Sequence, residues 1–128
     1  MKNEIIVRMK NLSLEIIRLV DRLPATQTAG IVGRQIVRSS TSIGANYRAA
    51  CRARSRADFV SKVAIAEEEC DETQYWLDLL HECGLIGSEE FMRLNDEADQ
   101  LTAILVASGK TARQTLTQRT RQTVIPNR

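Results

Sequence analysis

The stretch TAGIVGRQIVRSSTSIGANYRAACRA occupies residues 28–53 and contains no proline. Within it Ala29, Val32, Ile36, Ile43, Tyr47 and Ala50 recur at intervals of three, four and seven, the repeat of a single helical face. Gly33, Ser40 and Gly44 flank that face. Small residues there let a neighbouring helix approach closely, which offsets the ~1 kcal/mol that a helical glycine costs relative to alanine. The opposite face holds Arg34, Arg38, Arg48 and Arg52. At about 100° per residue these four fall within an arc of about 80°.

Similar periodicity extends to both sides. Upstream, Ile5, Met9, Leu12, Ile16, Leu19 and Leu23 predict a helix over 3–23, stopped by Pro24, which disfavours helical geometry at the residue before it. Downstream, Ser55 with Asp58 resembles a capping box and starts a helix over 56–83. Its core stripe is Phe59, Val63, Ala66, Cys70, Thr73, Leu77 and Leu80, and Gly84 is a natural stop. A fourth helix over 89–109 follows Ser88, with Glu89 and Glu90 in its first turn. Phe91, Leu94, Ala98, Leu101 and Leu105 form its core stripe, and Gly109 is expected to mark its end. Residues 111–128 are rich in Thr, Gln and Arg without periodicity and are expected to form a flexible basic tail. The expected fold is all-α: an antiparallel up-down-up-down four-helix bundle over residues 1–110.

Composition narrows the function classes. Two prolines and six glycines in 128 residues suit long helices better than a turn-rich β fold. Aromatics make up 4%, too few for a platform that stacks single-stranded bases. The longest apolar stretch, Ala103 to Ala107, falls far short of the roughly 20 residues of a membrane span. Ile5-Ile6-Val7 before Arg8 does not read as a signal peptide. Cys51, Cys70 and Cys83 are odd in number and widely spaced, which fits reduced thiols in a cytoplasm.

The net charge of +2 conceals segregation. Residues 34–62 carry seven basic groups against Asp58, a balance of +6. Residues 67–99 carry twelve acids against Arg93, a balance of −11. Residues 110–128 carry Lys110, Arg113, Arg119, Arg121 and Arg128 with no acid. Such asymmetry points to charged partners or charged self-association. Four guanidinium groups in line, supplemented by Arg56 and by Arg113, Arg119 and Arg121, can neutralise phosphates of RNA or DNA. The alternatives are a solvated face, or arginines paired with acids of the third helix.

Some apolar residues lie off the core stripes: Ile6, Leu14 and Ile17 in the first helix, and Ile65, Trp76, Leu79 and Cys83 in the third. A bundle helix needs one apolar face, so a second predicts burial against another copy of the chain. Catalysis has little support. The run Ser39, Ser40, Thr41, Ser42 has no histidine nearby and reads as hydroxyls bonding back to helical carbonyls. The acids Glu67, Glu68, Glu69, Asp71 and Glu72, and the pair Asp78 and His81, invite a metal. A di-metal bundle needs two His-bearing elements, and this chain has one histidine. No metal, cofactor, Gly-rich phosphate loop or enzymatic activity is expected.

The stretch RSSTSIGANYRAACRARSRADF at 38–59, and DETQYWLDLL at 71–80 followed by Gly84-Leu85-Ile86, resemble the two signatures of a bacterial family. These are the four-helix-bundle proteins, also called 23S ribosomal RNA intervening-sequence proteins. The resemblance covers roughly residues 5–109. It implies a homopentamer, and kinship to the accessory variability protein of diversity-generating retroelements, a basic pentamer that binds nucleic acid and works with a reverse transcriptase. The family's basic motif maps onto Arg38, Asn46, Arg48 and Arg56, which the resemblance places at or near a nucleic-acid surface. Its acidic motif maps onto Glu72, which the resemblance places at a subunit interface.

Overall fold

The structure, a computed structural model, describes the backbone of residues 2–124 and the side chains of residues 2–118. Four helices run in order: α1 (Lys2–Asp21), α2 (Gln27–Cys51), α3 (Arg56–Glu82) and α4 (Ser88–Val124). No strand occurs among the described residues.

The helix ends follow from local chemistry. Arg22 and Leu23 close α1 by donating to the carbonyls of Leu19 and Val20, just ahead of Pro24. The hydroxyl of Thr26 accepts from the Ala29 N–H and caps α2. Ser55 caps α3 by accepting from the Asp58 N–H, as the capping-box spacing predicts. Gly84 ends that segment with φ +76°, a conformation that favours glycine.

The one large departure from expectation is α4, which spans 37 residues, a rod of ~55 Å. Gly109 does not stop it. A Cβ built there would lie 3.4 Å from Val63 Cγ1 and 3.3 Å from Glu67 Oε1 on α3. The glycine therefore serves close packing, and the helix passes through it to bury Ala112. The segment expected to be a flexible tail is helical as far as Val124, and residues 125–128 lie outside those described.

The core stripes read from periodicity are the ones buried. Met9, Leu12, Ile16 and Leu19 of α1 meet Ile36 and Ile43 of α2, Val63, Leu77 and Leu80 of α3, and Leu94, Leu101 and Leu105 of α4 in one cluster. Each such fully buried aliphatic side chain contributes ~1.5–3 kcal/mol relative to exposure. Contacts between helices run in opposite order along the chain. On α2, Gly44 meets Met9 and Gly33 meets Val20 of α1. On α3 and α4, Cys70 reaches Ala98 while Val63 reaches Gly109. Between α1 and α4, Arg8 pairs with Glu97 and Arg22 with Glu90.

Small polar residues sit between the helices, Ser39 and Thr73 at the α2–α3 seam and Ser40 toward α1, where its carbonyl accepts from the Ser13 hydroxyl at 2.9 Å. Ser39, Ser40 and Thr73 are fully buried, and the Thr73 hydroxyl lies 2.9 Å from that of Ser39. The Ser39, Ser40, Thr41 and Ser42 hydroxyls donate to carbonyls one turn back, at Ile36, Val37 and Arg38. No helix among the described residues is long and apolar enough to cross a membrane.

Candidate nucleic-acid interface

The arginines that share one face of α2 do not share one environment. Arg38 reaches across to α3, where its guanidinium donates to Glu69 Oε2 at 3.0 Å and pairs with Glu72. Glu72 also accepts from the Trp76 indole N–H at 3.1 Å. Arg38, Glu69, Glu72 and Trp76 therefore form one linked group within a single chain. Arg34, Arg48, Arg52 and Arg56 are exposed, and no ion pair engages them among the described residues. Asn46, grouped with the arginines by resemblance, instead donates back to the Ser42 carbonyl at 2.8 Å.

The fold then gathers several of the exposed cations at one end, whereas Arg34 lies toward the other, next to the Gly33 that packs on Val20 near the end of α1. Lys2 of α1, Arg54 of the connecting turn and Arg56 of α3 line a single recess, so the start of α1 lies beside the α2–α3 turn. Arg48 and Arg52 occupy the last turn and the C-cap of α2 at the same end. Gly109 packs on Val63 and Glu67, which brings α4 alongside the first turns of α3. Lys110 and Arg113, exposed one turn apart, follow there. Arg119 and Arg121 lie in the last turns of α4, outside the described side chains. The acid nearest in sequence, Asp58, is held by Lys62 at 2.9 Å.

The opposite end differs. Arg22 is paired with Glu90, and Arg93 with Glu15, while Glu82 and Glu89 are exposed. Segregation along the sequence becomes a charge axis along the bundle because alternate turns meet at the same end.

Lys2, Arg54 and Lys110 are not among the binding residues that helical periodicity selects. Arg54 lies in a turn, off any helical face, and Lys2 joins it only through the packing of α1. The usable signal in the sequence is local density: Arg48, Arg52, Arg54 and Arg56 fall within nine residues.

The second apolar stripe on α3 is partly open. Ile65 is 41% exposed, while Trp76 and Leu79 are half-buried, and Trp76 packs on the core cluster. Tyr75, 56% exposed, meets the Trp76 ring edge-on at 5.2 Å. The off-stripe residues Ile6, Leu14 and Ile17 of α1 are half-buried.

The titratable groups elsewhere have structural settings. Burial pushes the Tyr47 phenol up to about 12, with the adjacent Cys51 reinforcing the shift. Burial likewise raises Cys70 above the ordinary thiol value. His81 stacks on Phe91 at 4.5 Å and shares a hydrogen bond with Ser88 at 3.0 Å. Among the described residues no three His, Cys, Asp or Glu side chains are arranged to hold a metal ion. Glu67 Oε1 is buried beside Gly109 with no hydrogen-bond partner among the described residues.

The family model for the 23S rRNA-intervening sequence protein matches residues 1–107. Among solved structures, a protein of unknown function from the S23 ribosomal protein family of Bacteroides thetaiotaomicron is similar, with 36% sequence identity and a TM-score of 0.78. The match covers 83% of this chain and 98% of that one. No curated protein matches the sequence.

Proposed function

We propose that this chain, which belongs to the 23S rRNA-intervening sequence protein family, is a non-enzymatic accessory protein that binds RNA or DNA through the basic end of its bundle. The observation that carries this reading is the sorting of its arginines. Arg38 is neutralised by Glu69 and Glu72, whereas Arg48, Arg52 and Arg56 stand exposed toward the end of the bundle that also carries Lys2, Arg54, Lys110 and Arg113. Unpaired guanidinium and ammonium groups at one pole attract phosphates and steer their approach. Base readout has no support in this surface, so binding is sequence-tolerant.

The reading includes self-association. Antiparallel up-down-up-down bundles join through the α3 stripe of Ile65, Glu72, Trp76 and Leu79 into a cytoplasmic ring, a pentamer by the family resemblance. Partial exposure of Ile65, Trp76 and Leu79 supports it, since aromatic and aliphatic residues favour interface cores. A ring repeats the basic pole, and linked weak sites gain avidity without any further interaction.

A salt titration of binding to a structured RNA, with duplex DNA alongside, tests the function. A steep fall of affinity with salt is expected. Absence of binding to either at low salt contradicts the reading. A second reading, a scaffold that docks a protein partner, is favoured by the neutralisation of Arg38. It predicts a partner that survives nuclease treatment in a pull-down.

A further inference from the structure

A recess of about 550 Å³ opens at the α2–α3 turn. Its walls include three cations, Lys2, Arg54 and Arg56, together with Ser55, Cys51 and the ring of Phe59. Among the described residues no carboxylate lines it. Asp58 is engaged by Lys62, and Glu4, two residues from Lys2, lines a separate recess with Arg8 and Ile104. Three like charges converge there with no counter-charge in the wall, an arrangement that an anion relieves.

We propose that this recess takes a phosphate monoester carried on a nucleoside. Charge selects the monoester. It carries about −1.5 to −2 at neutral pH, as in a phosphorylated side chain, whereas a backbone diester carries a single negative charge. Two arginines present paired donors that match phosphate oxygens, and the lysine adds a point charge. The recess lies within the roughly 300–1,000 Å³ of small-molecule sites and has room beyond a phosphate group. Phe59 and the neighbouring Ala50 and Ala53 offer the attached sugar and base an apolar wall. The N–H groups of Arg56 and Ala57, ahead of the Asp58 N–H that Ser55 caps, have no acceptor within the helix and add partial positive charge.

The same chemistry has two sources, the phosphorylated end of a strand and a free mononucleotide. The strand source rests on the nucleic-acid reading above. The test uses one short RNA with a 5′-phosphate, a 3′-phosphate or hydroxyl ends, each followed by fluorescence anisotropy, and adenosine 5′-monophosphate followed by calorimetry. A phosphorylated end is expected to bind about tenfold tighter than a hydroxyl end. The Lys2→Gln, Arg54→Gln double variant is expected to bring that ratio to about one, while Arg18→Gln, on an exposed part of α1, retains it. Mononucleotide binding that disappears in the double variant, without discrimination between strand ends, supports the recess with the free nucleotide as its source. Equal affinity for all strand ends with no mononucleotide binding overturns the proposal and leaves nucleic-acid binding by the basic end intact. Failure of every strand to bind at low salt counts against the basic end as a whole, and the mononucleotide arm then decides the recess separately.

Discussion

Arg38 and Glu69 meet at 3.0 Å across the α2–α3 seam, while Arg48, further along the same helix, is exposed with no ion pair among the described residues. One helical face thus contributes to two separate tasks. Its middle joins α2 to α3, and its C-terminal part belongs to a basic pole.

The joining role has a modest, salt-dependent energy. Arg38 is 48% exposed, so solvent screens its pairs with Glu69 and Glu72. Arg38→Ala is expected to lower stability by about 0.5–1 kcal/mol at low ionic strength. Urea unfolding at low and at about 1 M salt checks this, since the difference from the unmodified chain should shrink as salt is added.

Two glycines three residues apart on α2 should respond oppositely. At Gly30 an added Cβ meets only Arg34 Nη1, at 3.6 Å, so Gly30→Ala should stabilise by about 0.5–1 kcal/mol through helix propensity. At Gly33 the added Cβ lies 3.0 Å from Val20 Cγ1, and a larger side chain forces α1 away. Gly33→Leu should cost about 1–3 kcal/mol. Thermal midpoints of the two variants give the comparison.

Alkaline pH should weaken the fold through Tyr47. Its phenol is raised from the ordinary value of 10.0 to about 12, chiefly by burial. The neutral form is therefore favoured in the folded state. The contribution is fully present below pH ~10 and is lost as pH rises toward about 12. Urea midpoints measured across that window should fall in the unmodified chain and fall less in Tyr47→Phe.

The α3 stripe makes a prediction about assembly. Ile65 is 41% exposed in the single chain, so Ile65→Glu leaves the bundle core untouched. Sedimentation should show an oligomer for the unmodified chain and a folded monomer for this variant. An unchanged oligomer would place the subunit interface on another face.

Much of the fold is legible in the sequence because helical periodicity is a local signal. Met9, Ile36, Leu77 and Leu101 announce their burial through their spacing. Ser55 and Asp58 announce a helix start in the same way. Gly109 misleads because a glycine that ends a helix and a glycine that admits a neighbouring helix look alike until Val63 and Glu67 are placed beside it. The site is half legible for a related reason. Arg48, Arg52 and Arg56 follow from charge along the chain, but the neutralisation of Arg38 joins residues 31 positions apart. Lys2 reaches the α2–α3 turn only because α1 packs along α2.

The central claim is that phosphates are bound at the basic pole and not along the whole arginine face. Its most direct test compares salt slopes of RNA binding for the unmodified chain, for Arg38→Ala, and for the combined Arg48→Ala, Arg52→Ala, Arg56→Ala variant. Removing a cation that neutralises one phosphate should flatten the slope of log affinity against log salt by roughly 0.7–0.9. The account predicts an unchanged slope for Arg38→Ala and a markedly shallower one for the combined variant. Equal slopes in all three proteins, or a flattening confined to Arg38→Ala, would contradict it.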